Sequence, residues 1–202
     1  QSKPEMEDPA YVGIQFTVGE RKVGSMLQFC QEMEEIGVDW VLLNPTWFIS
    51  SEQSNTYKSV MTKEFGILPT SQEGYMHNQK FDYRIFQEQV NLVFKKKWRM
   101  QISSYLKTED EIKTFFERPG QPVSNSFCYK QWMRMDVSPS GDVHACSLYH
   151  DYKIGDLKSE SVSEVWNSTA SSDFRNFRKD NVLPICSNCS AIYLYDAKRK
   201  YL

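Results

Sequence analysis

Four of the five cysteines fall in the last 75 of 202 residues, as Cys128, Cys146 and the pair Cys186-Ser-Asn-Cys189. Five are too few for a secreted disulfide scaffold, and the count is odd. Metal binding or catalysis is therefore the first chemistry to weigh. Two remote cysteines and one Cys-x-x-Cys knuckle supply four thiolates, enough for one tetrahedral zinc or one cubane iron–sulfur cluster. Thiolates brought together repel one another and favour protonation unless a cation stands between them. The turn Ser138-Pro-Ser-Gly141 suits this task, because it reverses the chain and lets Cys146 return towards Cys128. The other reading of these cysteines is a disulfide or buried free thiols, but a knuckle just after Pro184 is a poor place for a core thiol. Spacing leaves zinc and iron–sulfur both open, with the single knuckle favouring a cluster. His144 and His150 flank Cys146. His144 shares its side-chain parity and could face a metal, but with four cysteines present both histidines read as strand-surface residues.

The first 127 residues carry only Cys30. It falls on an apolar stripe with Met26, Leu27, Met33 and Ile36, at three- and four-residue spacing, and reads as core. The segments around it alternate between two periods. A strand is expected over 11–18, a helix over 23–36 ended by Gly37, and a nearly continuous apolar strand over 38–43. Helices over 54–65 and 83–97 follow, then a strand over 99–103. Thr108-Glu-Asp-Glu111 opens a helix to residue 117 as a capping box. Three βα units are thus expected, and Pro119-Gly-Gln-Pro122 breaks the pattern. The expected fold class is α/β. Residues 1–118 read as three βα units, half of a partial (β/α) barrel, and residues 119–202 as a small α+β metal-binding domain with a β-hairpin of 131–137 against 143–147. Short helices are expected over 162–167 and 172–178. Three parallel strands leave two edges unpaired, so a partner segment or chain is expected.

Charge excludes some partners. With 24 basic and 26 acidic side chains the net charge is −2, and no strong field towards nucleic acid or an anionic membrane is expected. The apolar runs are far shorter than the roughly 18 residues that span a bilayer, and residues 1–18 lack a signal-peptide layout. A cytoplasmic location is expected. No Ser-His-Asp elbow, phosphate-cradling glycine loop or nucleic-acid stacking motif is found.

The stretch from Cys128 through Met135-Asp-Val-Ser-Pro-Ser-Gly141 to Cys146 resembles the opening of the SPASM or twitch region that follows the catalytic barrel in many radical S-adenosylmethionine (radical SAM) proteins. Ile154-Gly-Asp-Leu157, Ser163-Glu-Val-Trp-Asn167, Phe174-Arg175 and Pro184-Ile-Cys-Ser-Asn-Cys189 match the rest of that region in order. The three βα units resemble the second half of the radical SAM partial barrel. A full SPASM region has seven cysteines and two auxiliary clusters. Nothing cysteine-like follows Cys189, so this chain resembles the twitch version with one 4Fe–4S cluster on Cys128, Cys146, Cys186 and Cys189. The Cys-x3-Cys-x2-Cys that holds the SAM-cleaving cluster is absent, so the chain as it stands should not cleave SAM.

The resemblance implies the carboxyl-terminal portion of a radical SAM enzyme acting on a peptide or small-molecule substrate, with an electron donor protein. SAM would enter only with the missing amino-terminal barrel half. Lys130, Arg134, Lys153 or Arg175 could ease the charge of such a cluster. Two rivals are a non-catalytic iron–sulfur accessory subunit completing a split barrel, and a zinc-stabilised binding module.

Overall fold

The structure, a computed structural model, describes residues 10–77, 82–123 and 127–194. Residues 1–9, 78–81, 124–126 and 195–202 lie outside them. The chain forms two compact units, one within residues 1–46 and 79–113, the other within 47–78 and 114–199.

In the first unit the strands β1 (Gly13–Val18), β2 (Trp40–Pro45) and β3 (Gln101–Ser104) form a parallel sheet in the sequential order β1-β2-β3. The registers pair Ile14 with Val41 and Val41 with Ile102. Helix α1 (Met26–Ile36) ends at Gly37, whose φ of 87° puts it in the left-handed region, where its N–H bonds the Met33 carbonyl. Helix α3 (Tyr83–Lys95) packs on α1. The apolar stripes of these elements meet in a core that includes Val18, Met26, Cys30, Leu43, Phe86 and Val93, all fully buried. Phe16 stacks on Phe29 at 4.0 Å between ring centroids.

In the second unit, helix α2 (Ser51–Phe65) opens with a capping box: Ser50 Oγ accepts from the Gln53 N–H, and Gln53 Oε1 accepts from the Ser50 N–H. Helix α4 (Glu109–Glu117) has the expected start, with Thr108 Oγ1 accepting from the Glu111 N–H at 3.2 Å. The division between the two units passes within it. Next come a helical turn, α5 (Lys130–Met133), and an antiparallel sheet of β4 (Asp136–Val137), β5 (Asp142–His144) and β6 (Lys153–Asp156). Helices α6 (Val162–Trp166), α7 (Thr169–Asp180) and α8 (Ser190–Leu194) complete it.

The expected hairpin exists but is shorter than its apolar spacing implied. Only Asp136 and Val137 pair with His144 and Val143, and residues 130–133 are helical. That helical turn lets Trp132 stack on Phe127 at 4.9 Å and bring Lys130 back to Asp136. The tip forms as expected: Gly141 has φ of 87° and donates its N–H to the Ser138 carbonyl at 2.9 Å. On β6, a Cβ at Gly155 would stand 2.5 Å from Val165 Cγ2, so the strand meets α6 closely only because that position is glycine. Among the described residues neither sheet closes into a barrel. No helix there is long and apolar enough to cross a membrane.

Candidate metal centre

Each cysteine of the carboxyl-terminal set is placed by a different local device. Cys128 sits just before α5, where the Lys130 backbone N–H points at its sulfur. Cys146 follows β5, beyond the bond from the Ala145 N–H to the Tyr152 carbonyl at 3.0 Å. Cys186 and Cys189 lie in and just after the 3₁₀ turn Pro184–Asn188. The Cys186 N–H donates to the Leu183 carbonyl at 2.8 Å, and the Cys189 N–H donates to the Cys186 carbonyl at 3.0 Å. Pro184 occupies the first helical position, where its missing N–H costs nothing.

The knuckle is clamped from a remote part of the sequence. Gln53 Nε2, on α2, lies 2.8 Å from the Pro119 carbonyl, 3.0 Å from Ser187 Oγ and 3.1 Å from Asn188 Oδ1. Asn188 Nδ2 donates to the Phe115 carbonyl at 3.3 Å. Gln53, Ser187 and Asn188 are all buried. The capping box fixes the Gln53 amide from one side and the knuckle fixes it from the other.

All four cysteines line one enclosed cavity of about 30 Å³, with Tyr57, Tyr149, Lys130 and Arg178 among its other walls. All are free thiols, as is Cys30. Among the described residues no group of three or more His, Cys, Asp or Glu is gathered tightly enough to hold a metal ion, while all four thiols share the lining of this cavity. His144 and His150 do not line it. Their rings stand edge to face at 5.9 Å. Cys30 is in the other unit, buried on α1.

Burial pushes the Cys186 thiol up to about 11, with Cys146 and Cys128 adding and Arg178 opposing. Cys189 is pushed well up by burial and then by Cys186 and Cys146. Cys128 is raised by burial too, against the Lys130 N–H and the Arg178 charge. Without a cation between them these three stay protonated at neutral pH, so metal uptake must release protons. Tyr149 packs beneath the knuckle and is raised by burial and by Cys189, Cys186 and Cys146; it is a neutral phenol facing the Ile185 carbonyl at 3.4 Å.

Of the four cations singled out in the sequence, only Lys130 reaches the cavity. Its ammonium bonds Ser147 Oγ and pairs with Asp136 at 3.2 Å. Arg134 also pairs with Asp136, Lys153 pairs with Asp142 and Asp156, and Arg175 donates to Ser171 Oγ and the Trp166 carbonyl. Sequence reasoning missed Arg178, which is 3% exposed. The signal was present: Ser171, Phe174 and Arg178 share one face of α7 at three- and four-residue spacing, and all three are buried.

Residues 128–190 match the family model of SPASM, an iron–sulfur cluster-binding domain. No curated protein and no solved structure matches the chain. The chain thus contains a SPASM-type domain, and the match covers all four cavity cysteines. The residues fit an anionic iron–sulfur centre by the chemistry of the donor set: four thiols around one enclosed space, with a buried guanidinium and a buried ammonium in its wall.

Proposed function

We propose that the second unit holds one auxiliary 4Fe–4S cluster on Cys128, Cys146, Cys186 and Cys189, and that the chain is the carboxyl-terminal portion of a radical SAM enzyme modifying a peptide or small molecule. The single observation that carries this reading is the convergence of four thiols, from three separated stretches of chain, on one enclosed cavity. When bound, such a cluster supplies one-electron redox chemistry. Four thiolates on one cubane leave no iron for substrate, so these residues serve electron transfer or structure. The match of residues 128–190 to an iron–sulfur cluster-binding domain favours a cluster over a zinc ion.

The first unit accommodates the barrel part of the reading. Its strands run parallel in sequential order, which is compatible with part of a barrel and equally with one half of a doubly wound sheet. β1 and β3 are the sheet's two edges, where further strands would add. The sequence carries no Cys-x3-Cys-x2-Cys. In this reading SAM cleavage belongs to the other barrel half, on another segment or a partner chain, with an electron donor protein. An oxygen-labile cluster places the protein in a reducing cytoplasm.

The test is iron, sulfide and zinc content, with the visible spectrum, after anaerobic reconstitution of the parent chain and a Cys186→Ser, Cys189→Ser variant. About four irons and four sulfides per chain, with a brown absorbance lost in the variant, is the expected result. One zinc and no sulfide would replace this reading with a structural zinc module.

A further inference from the structure

We infer that Arg178 is the fixed positive charge that sets the reduction potential of the centre held by Cys128, Cys146, Cys186 and Cys189. The inference rests on the cluster reading above. Arg178 lines the same cavity as the four thiols and is 3% exposed. Its Nη1 donates to the Asn181 carbonyl at 2.6 Å, which ties the guanidinium to the end of its own helix. No carboxylate among the described residues pairs with it, whereas Lys130, the other buried cation of the wall, is answered by Asp136. An apolar side chain would complete the Ser171 and Phe174 stripe equally well. A guanidinium with no carboxylate partner among the described residues is costly to bury unless an anion shares the space.

Four protein thiolates on a cubane give that anion. Taking up an electron adds one more negative charge, and a positive charge held at short range in a low-dielectric wall favours that step. Arg178 is a positioning and tuning residue, acting on the thiolates through its charge. A purely mechanical role, tying off the α7 carboxyl terminus through Asn181, is the rival explanation.

The test uses the full chain and its Arg178→Met and Arg178→Lys variants, reconstituted anaerobically and titrated with dithionite while absorbance and electron paramagnetic resonance are followed. Thermal midpoints are also measured on the metal-free proteins. The expected result is that Arg178→Met makes reduction at least about tenfold less favourable, about 59 mV more negative for a one-electron couple, while Arg178→Lys stays within about threefold of the parent. Metal-free Arg178→Met should melt no lower than the metal-free parent, because it loses a buried charge with no carboxylate partner among the described residues. An unchanged potential in Arg178→Met would overturn the inference and leave the cluster reading intact. A metal-free Arg178→Met that melts well below the parent would also overturn it, in favour of the mechanical role. If Arg178→Met folds but takes up no iron, recovery of loading in Arg178→Lys supports the charge, and failure of that recovery overturns it. A parent chain that takes up no iron would overturn the cluster reading itself, a different result from any of these.

Discussion

Cys30 in the first unit, fully buried, and Cys186 in the second, half-buried, are both thiols that desolvation pushes up to about 11. Cys30 lies on α1, which packs on α3, and the Lys96 charge opposes the rise that burial causes. Around Cys186 stand three more thiols, a buried guanidinium and a polar clamp. The difference teaches that burial and a raised thiol do not mark a ligand. Several donors lining one cavity beside a buried guanidinium are what set Cys186 apart as a candidate ligand. The two units also hold themselves together differently. The first relies on apolar stripes meeting a sheet, and the second adds to its own apolar cluster, which includes Tyr57, Met61, Phe174 and Ile185, the hydrogen bonds of Gln53, Asp151 and the knuckle.

The largest effect should come from Phe86→Ala. Phe86 is fully buried in the first unit, and its truncation should cost about 3–5 kcal/mol in denaturant unfolding. The iron content of the protein that remains folded should stay at the parent value. Loss of iron from folded protein would break the separation drawn between the units.

Asp151 in the second unit accepts from the Thr70 and Ser71 N–H groups, from Ser71 Oγ and from Tyr57 Oη. Burial by itself would raise this carboxyl, but those bonds outweigh it and hold it below the usual range. A depressed carboxylate contributes stability that is fully present above its unfolded value, near 4, and is lost as pH falls through the folded one. Asp151→Asn should cost about 1.5–3 kcal/mol at pH 7. Thermal melts from pH 7 downwards should show the gap to the parent closing below about pH 4; a gap that is constant with pH would exclude the charged carboxylate as its source.

Gln53→Leu removes the donor shared by Pro119, Ser187 and Asn188, and it leaves those buried groups under-satisfied, for about 1–3 kcal/mol. Because the knuckle loses its clamp, iron loading on reconstitution should fall as well. Full loading in this variant would show that the knuckle needs no support from α2. The smallest effect belongs to Cys30→Ala. It should cost about 1 kcal/mol and leave the iron and sulfide content unchanged, which sharpens the contrast between a core thiol and a ligand set.

Much of the secondary structure was legible because it is local. The Met26, Cys30 and Met33 spacing produced α1, the Thr108 and Glu111 pair capped α4, and Gly37 and Gly141 took the left-handed conformations that only glycine adopts freely. Residues 131–133 read as strand from their alternation but are helical, since alternation over so few positions cannot outweigh the Trp132 stack and the Lys130 reach to Asp136. The clamp was not legible at all. Gln53 reads as an ordinary capping glutamine, and Ser187 is 134 positions away from it.

The sequence by itself determined the candidate donor set: four cysteines at spacings that a turn and a knuckle can close, within the stretch 128–190 that matches a SPASM-type domain. Turn and capping chemistry depend on neighbours a few residues apart, so they survive in the linear pattern. Only the tertiary structure decided that α2 joins the unit of the cysteines, that Arg178 rather than Arg134, Lys153 or Arg175 lines their cavity, and that neither His144 nor His150 does. Those outcomes depend on which faces remain to be buried once distant segments meet, and on the high cost of burying a charge without its counter-charge, neither of which residue spacing records.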